Sequence, residues 1–217
     1  MVEFKLFIGN KNYSSWSLRG WLVMKKTGAE FEEAVLRLAV PETHSAISAH
    51  SPSGLVPALR WPGGTVWDSL SITEFLAERF PEAGLWPDDP ETRAVARSVA
   101  AEMHSGFSSL RGELPMNVRA RYPDTVIGDE TSADIRRIEE IWNSCRSTYG
   151  SGGPYLFGQY SAADAFYAPV VSRFRTYGVG LGEAAQSYAE ASWNWPHMRE
   201  WIAAAETEPY TVEKYER

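Results

Sequence analysis

Cysteine is nearly absent from this 217-residue chain, with Cys145 standing alone. That excludes an internal disulfide and a CxxC redox pair, and it suits a reducing compartment. No apolar run approaches the roughly 20 residues of a membrane span, and the opening MVEFKLFIGNK lacks the positive start of a leader segment. We therefore expect a cytosolic protein. Basic blocks are missing too: 21 lysines and arginines stand against 28 acids, a net charge of -7, so nothing here would neutralise a row of nucleic-acid phosphates. The histidines at 44, 50, 104 and 197 show no metal-ligand spacing, and with one cysteine no metal site is expected. There is no GxSxG elbow, and the Gly150 to Gly153 run lacks the lysine of a phosphate-binding loop.

What is present divides into two unlike halves. Phe4 to Ile8 reads as a strand; from Trp16 onward Leu18, Trp21 and Leu22 recur at helical spacing until Lys25, Lys26 and Gly28 close a helix. Phe31 to Leu38 reads as a second strand, parallel to the first through the crossover helix. Leu55 to Trp61 and Thr65 to Trp67 flank a Pro-Gly-Gly turn and form a hairpin, and Ser69 to Arg79 returns to helical spacing. The order βαβ then ββα predicts a four-stranded mixed sheet over residues 1–80. FPEAGLWPDDP supplies a linker over 81–90, and Asp89-Pro90-Glu91 then opens a helix with a cap, a first-turn proline and an acid. Residues 91–217 read as all-α, with helices over Ala94 to about Arg111, Ala133 to Tyr149, Ala162 to Tyr177 and His197 to Ala205.

The stretch NYSSWSLRGW crowds hydroxyls at a helix start. Such a start offers unpaired N–H groups and partial positive charge, which favour an anion. Serine is also a preferred N-cap, so one hydroxyl here has a purely structural use. Another is free to donate to a bound thiolate and stabilise it. Lowering a thiol from about 8.5 to about 6.5 needs roughly 2.7 kcal/mol of preference for the charged form. One charge-assisted hydrogen bond, about 1.5–3 kcal/mol, together with the helix end, about 0.3–1 kcal/mol, supplies that.

Four motifs, in order, resemble those of the cytosolic glutathione transferases. SSWS (Ser14 to Ser17) resembles the SSCS signature of the zeta-like, serine-type classes. SGLVPAL (Ser53 to Leu59) resembles the loop with a cis Val-Pro peptide, Asp68-Ser69 the acid-serine pair that holds a γ-glutamyl group, and FGQYSAADAFYAP (Phe157 to Pro169) the capping motif of the central helix. Ser71 with Glu74 offers a rival capping box to Asp68-Ser69, whereas Ser161 with Asp164 makes a structural one.

The resemblance implies an α/β plus all-α fold: a thioredoxin-like N-terminal domain followed by a C-terminal helical bundle. It implies glutathione as co-substrate, its thiolate stabilised by Ser14, with Ser15 next and Tyr13 third. Val56 and Pro57 would meet the peptide backbone, and Asp68 and Ser69 the γ-glutamyl end. A small apolar electrophile would sit between the halves, with His104, Phe107 and Arg111 at i, i+3, i+7 on one helix face as candidate contacts. A homodimer is implied as well. Trp16 stands where the zeta pattern has cysteine, which sets generic glutathione transfer ahead of a zeta-like isomerase. A non-catalytic binding or regulatory protein of the same fold is the alternative from another class.

Overall fold

The computed structural model describes residues 3–216. Strand β1 (Phe4–Ile8) is buried on both faces, with Phe4, Leu6, Phe7 and Ile8 all in the interior, as an inner strand requires. It pairs in parallel with β2 (Phe31–Val35), Phe4 opposite Phe31, and antiparallel with β3 (Ala58–Trp61), Leu6 opposite Leu59. β4 (Gly64–Trp67) completes the order β2-β1-β3-β4. β2 is an edge strand whose charged Glu32 and Glu33 stay exposed. It stops at Val35, short of the expected Leu38, because Leu36 donates the last backbone bond to Ile8 and Leu38 turns toward Asn10.

Helix α1 (Ser15–Lys26) crosses between β1 and β2, and α3 (Ser69–Arg79) follows β4 and packs beside it. The short α2 (Thr43–Ser48) was not legible in the sequence: it has no side-chain cap and buries only Ile47. The linker holds a single 3-10 turn at Pro81–Ala83, and its Leu85 and Trp86 are buried; the Leu85 carbonyl accepts from Ala162 N at 2.8 Å.

Beyond it the described residues form helices and two isolated bridges, with no strand. α4 (Pro90–Ser105) starts as expected, Asp89 accepting from Thr92 N at 2.8 Å. It ends six residues early. Gly106 is extended, and a Cβ there would lie 2.8 Å from the Glu102 carbonyl; Phe107 then takes the left-handed conformation at φ 57 before α5 (Ser108–Glu113). The helical face expected to align His104, Phe107 and Arg111 therefore does not exist.

α6 (Asp129–Tyr149) begins four residues before the expected Ala133, with Asp129 and Glu130 in its first turn. α7 (Ala162–Tyr177) has the expected bounds and buries every residue except Arg175. α8 (Glu183–Trp193) escaped the sequence reading because its buried stripe, Ala185, Tyr188, Ala189, Ser192 and Trp193, consists largely of small residues. α9 (Pro196–Glu206) follows, and Trp193 and Trp195 are core residues, as expected.

The start of α7 organises the helical half. Asp164 is fully buried; one carboxylate oxygen accepts from Leu156 N at 3.1 Å, the other from Ser161 N at 2.8 Å and Ser161 Oγ at 2.9 Å. Burial pushes its pKa up to about 6 against these donors, so the group is ionised at neutral pH. Asp164→Ala strands three donors and should lower stability by about 3 kcal/mol in urea unfolding, while Ser161→Ala should cost about 1 kcal/mol. Equal effects would show that the capping hydroxyl, not the carboxylate, holds the motif.

Candidate functional site

At the start of α1 the three serines have separate tasks. Ser14 is the N-cap: its oxygen accepts from Ser17 N at 3.4 Å, and its hydroxyl donates to Ser17 Oγ at 2.7 Å. Ser17 Oγ also accepts from Gly9 N at 2.9 Å, which locks this fully buried residue to β1. Ser15 lines the cleft beside Ser14; its backbone N–H donates to Tyr13 O at 3.1 Å, and its hydroxyl makes no hydrogen bond among the described residues. A donor is thus free at Ser15, and at Ser14 a hydroxyl rotation would free one.

Tyr13 is not available for such a role. Its hydroxyl donates to Glu216 at 2.5 Å and accepts from Arg119 Nη2 at 3.1 Å and Val212 N at 3.2 Å. With one donor and two acceptor positions filled, Tyr13 clasps the segment 208–216 against the rest of the chain. Glu216 also receives Tyr122 and Asn117, and Arg119 reaches the carbonyls of Glu208 and Tyr210.

The cleft has two lobes. The smaller, of about 480 Å³, is lined by Ser53, Leu55, Val56, Pro57, Asp68 and Ser69. The Val56-Pro57 peptide is cis, and the Pro57 ring lies so close to α1 that a Cβ on Gly20 would come within 3.0 Å of it. α3 starts at Ser69, not at the rival box: Asp68 accepts from Leu70 N at 2.8 Å and Ser71 N at 3.3 Å, while Glu74 pairs with Arg97 at 2.8 Å. Asp68 holds a left-handed φ of 71, a strained conformation of the kind that gathers at functional sites. Ser69 Oγ is buried without a partner.

The larger lobe, of about 720 Å³, is lined by residues that include Ser14, Ser15, Met116, Tyr215, Arg111 and Arg173. Trp16, Leu55 and Val56 border both lobes. Trp16 is wedged at the junction, its ring 5.1 Å from His104, 4.5 Å from the Arg19 guanidinium and 5.2 Å from that of Arg111. Arg111 is held by the carbonyls of Gly106 and His104. Arg173, buried, donates to Leu114 O at 2.8 Å and Pro169 O at 3.2 Å.

Arg19, Arg111 and Arg173 repel one another in a poorly solvated place. Burial, then Arg111 and Arg173, pull Arg19 down to about 9; burial and Arg111 pull Arg173 down to about 10. Arg19 Nε and Nη1 have no partner. The expected apolar walls are present in Leu38, Val40, Ile47, Leu55, Pro115 and Met116, and the charge of Arg111 and Arg173 is set among them. Arg111 was among the expected contacts, reached here from α5. Phe107 is buried in the core and lines neither lobe. His104 instead faces Asp68, Nε2 to Oδ2 at 3.2 Å.

Sequence reasoning missed Arg19 and Arg173. The one signal was Arg173, which lies on the enclosed side of α7 while Arg175 does not, in a helix where an unpaired buried charge is costly. Among the described residues no cluster of histidine, cysteine and acids is arranged for a metal, and no helix is long and apolar enough to cross a membrane.

The profile described as glutathione S-transferase, N-terminal domain, matches residues 13–79, and that for the C-terminal domain matches 94–204. The maleylacetoacetate isomerase of Rattus norvegicus is 27% identical over 172 residues, covering 77% of this chain and 76% of its own. Against other curated relatives the chain spans less than half of their length. Two solved structures share the fold. One is a glutathione transferase homologue from Burkholderia with bound glutathione (TM-score 0.74, 22% identity, 95% of this chain and 100% of that one). The other is a bacterial maleyl pyruvate isomerase of the zeta class (TM-score 0.73, 22% identity, 96% and 100%). With both of its domains matched in order, this chain belongs to the glutathione S-transferase family.

Proposed function

We propose that the protein is a glutathione-dependent enzyme that directs the glutathione thiolate at a small electrophile bearing an acidic group. The observation that carries this reading is the convergence of serine hydroxyls at a helix start, a peptide-like ligand's lobe and a two-arginine lobe on one cleft. Glutathione lies along the smaller lobe, its backbone against Val56 and its γ-glutamyl end at Asp68 and Ser69. There the N–H groups of α3 and the orphan Ser69 hydroxyl take the carboxylate, and Asp68 the ammonium.

Its sulfur then reaches the start of α1. A hydroxyl of the Ser14–Ser15 pair donates to it, and the helix end adds partial positive charge. The electrophile enters the larger lobe, where Arg111 and Arg173 hold its acid. The thiolate's electron pair forms the carbon–sulfur bond; departure of a leaving group completes a transfer. Addition to a conjugated double bond, rotation and loss of the same thiolate would complete an isomerisation, the type of reaction for which the rat relative is named. Trp16 does not block either route, because the first step needs only the activated sulfur.

The cleft's parts are complete, which favours an enzyme over a non-catalytic binding protein of the same fold. The lone Cys145 is buried, with its thiol pushed up to about 11 by burial, in keeping with a reducing compartment such as the cytosol. Leu55 and Trp67, both exposed beside the smaller lobe, give an apolar edge for a second copy in a homodimer.

Glutathione added to the purified protein should develop thiolate absorbance near neutral pH. Either Ser14→Ala or Ser15→Ala should raise the bound thiol's pKa by about one to two, the size of one charge-assisted hydrogen bond. Ionisation unchanged in both variants would return the serines to capping, and retention on immobilised glutathione without turnover would favour the non-catalytic reading. Arg111→Gln should lower kcat/KM about tenfold for a conjugated enoic acid and leave its methyl ester nearly unchanged. A parallel fall for acid and ester would remove the acidic group from the reading.

A further inference from the structure

Asp68 has two oxygens in different circumstances. One is fixed by Leu70 N and Ser71 N as the cap of α3. The other faces His104 Nε2, which arrives from the penultimate position of α4 in the helical half, 3.2 Å away. The carboxylate is thereby fixed at one oxygen, while the other stays near the imidazole and the side chain stays 40% exposed beside the smaller lobe. The His104 ring is itself packed, with the Trp16 ring edge-on at 5.1 Å and Phe166 at 6.0 Å, and its Nδ1 is buried without a partner. The Nε2–Oδ2 approach becomes an ion pair once the imidazole is protonated.

We propose that His104 makes glutathione binding pH-sensitive: on protonation it pairs with the free oxygen of Asp68 and displaces the γ-glutamyl ammonium. The inference rests on the glutathione reading above and adds a pH dependence to it. The charged groups facing the imidazole are Asp68 from the cap of α3, Arg19 from α1 and Arg111 from α5; Trp16 and Phe166 bring none. Burial first, then Arg19 and Arg111, holds the His104 pKa below 6.5, and Asp68 opposes them.

The sign follows from competition. Above that pKa the imidazole is neutral, and Asp68 is the sole charge near the ammonium binding position. As pH falls through it, a second cation forms beside the same carboxylate and repels the ligand's ammonium, which stays protonated throughout. Affinity for glutathione is therefore full at neutral pH and lost toward acid.

The test is glutathione affinity by tryptophan fluorescence from about pH 5 to about pH 7.5 for the parent, His104→Gln and His104→Phe. Neither replacement side chain titrates. The parent should bind about tenfold more weakly at the acid end. His104→Gln and His104→Phe should both stay flat across the range. An acid fall that persists in either variant overturns this proposal alone. No binding of glutathione by the parent at neutral pH overturns the glutathione reading and this proposal with it.

Discussion

Helix α1 must satisfy the sheet and the helical half at once, and the rest of the cleft follows from that constraint. Residues 17–24 are all buried, so the helix has no solvent face along most of its length. On one side Gly20 admits the Pro57 ring; on another Arg19 lies against Phe166 of α7. A helix fixed on every side presents its N-terminal end in one place, and a partial positive charge acts on a ligand only where its position is fixed. The tight packing of a segment with little polar surface is what gives three ordinary serines a defined outlook.

That constraint also accounts for what could be read from the chain. The strands, α1, α3 and α7 were legible because their apolar periods report burial directly: α7 is so enclosed that its bounds coincide with its pattern. The motif residues near the smaller lobe were legible in another way: the cis Val56-Pro57 bond was expected only from the family resemblance, and the cap at Asp68 had a rival in Ser71 and Glu74. α2 and α8 were not, one because it buries a single side chain and the other because its stripe is small residues. The break after α4 was hidden by a spacing that continued across it. Gly106 carried the signal, as its backbone lies too near the Glu102 carbonyl for any side chain.

The arginines belong to a different category of illegibility. Arg19, Arg111 and Arg173 come from α1, α5 and α7, and no spacing rule links them. What unites them is an electrostatic imbalance: burial and mutual repulsion lower the affinity of Arg19 and Arg173 for their own protons. An enclosed site with surplus positive charge gains most from the ligand that removes the surplus. No carboxylate lines the larger lobe beside Arg111 and Arg173 among the described residues.

The clasp made by Tyr13, Arg119 and Glu216 bears on how the cleft comes together. Tyr215, a wall of the larger lobe, is held by residues about two hundred positions earlier in the chain, and segment 208–216 has only one short turn of regular structure, Glu213–Tyr215. Contacts of such separation carry a large loop-closure cost. The smaller lobe is lined by residues 16 to 69, whereas the larger one also needs contacts that span nearly the whole chain. The wall at Tyr215 therefore depends on side-chain hydrogen bonds to one chain segment more than on regular structure.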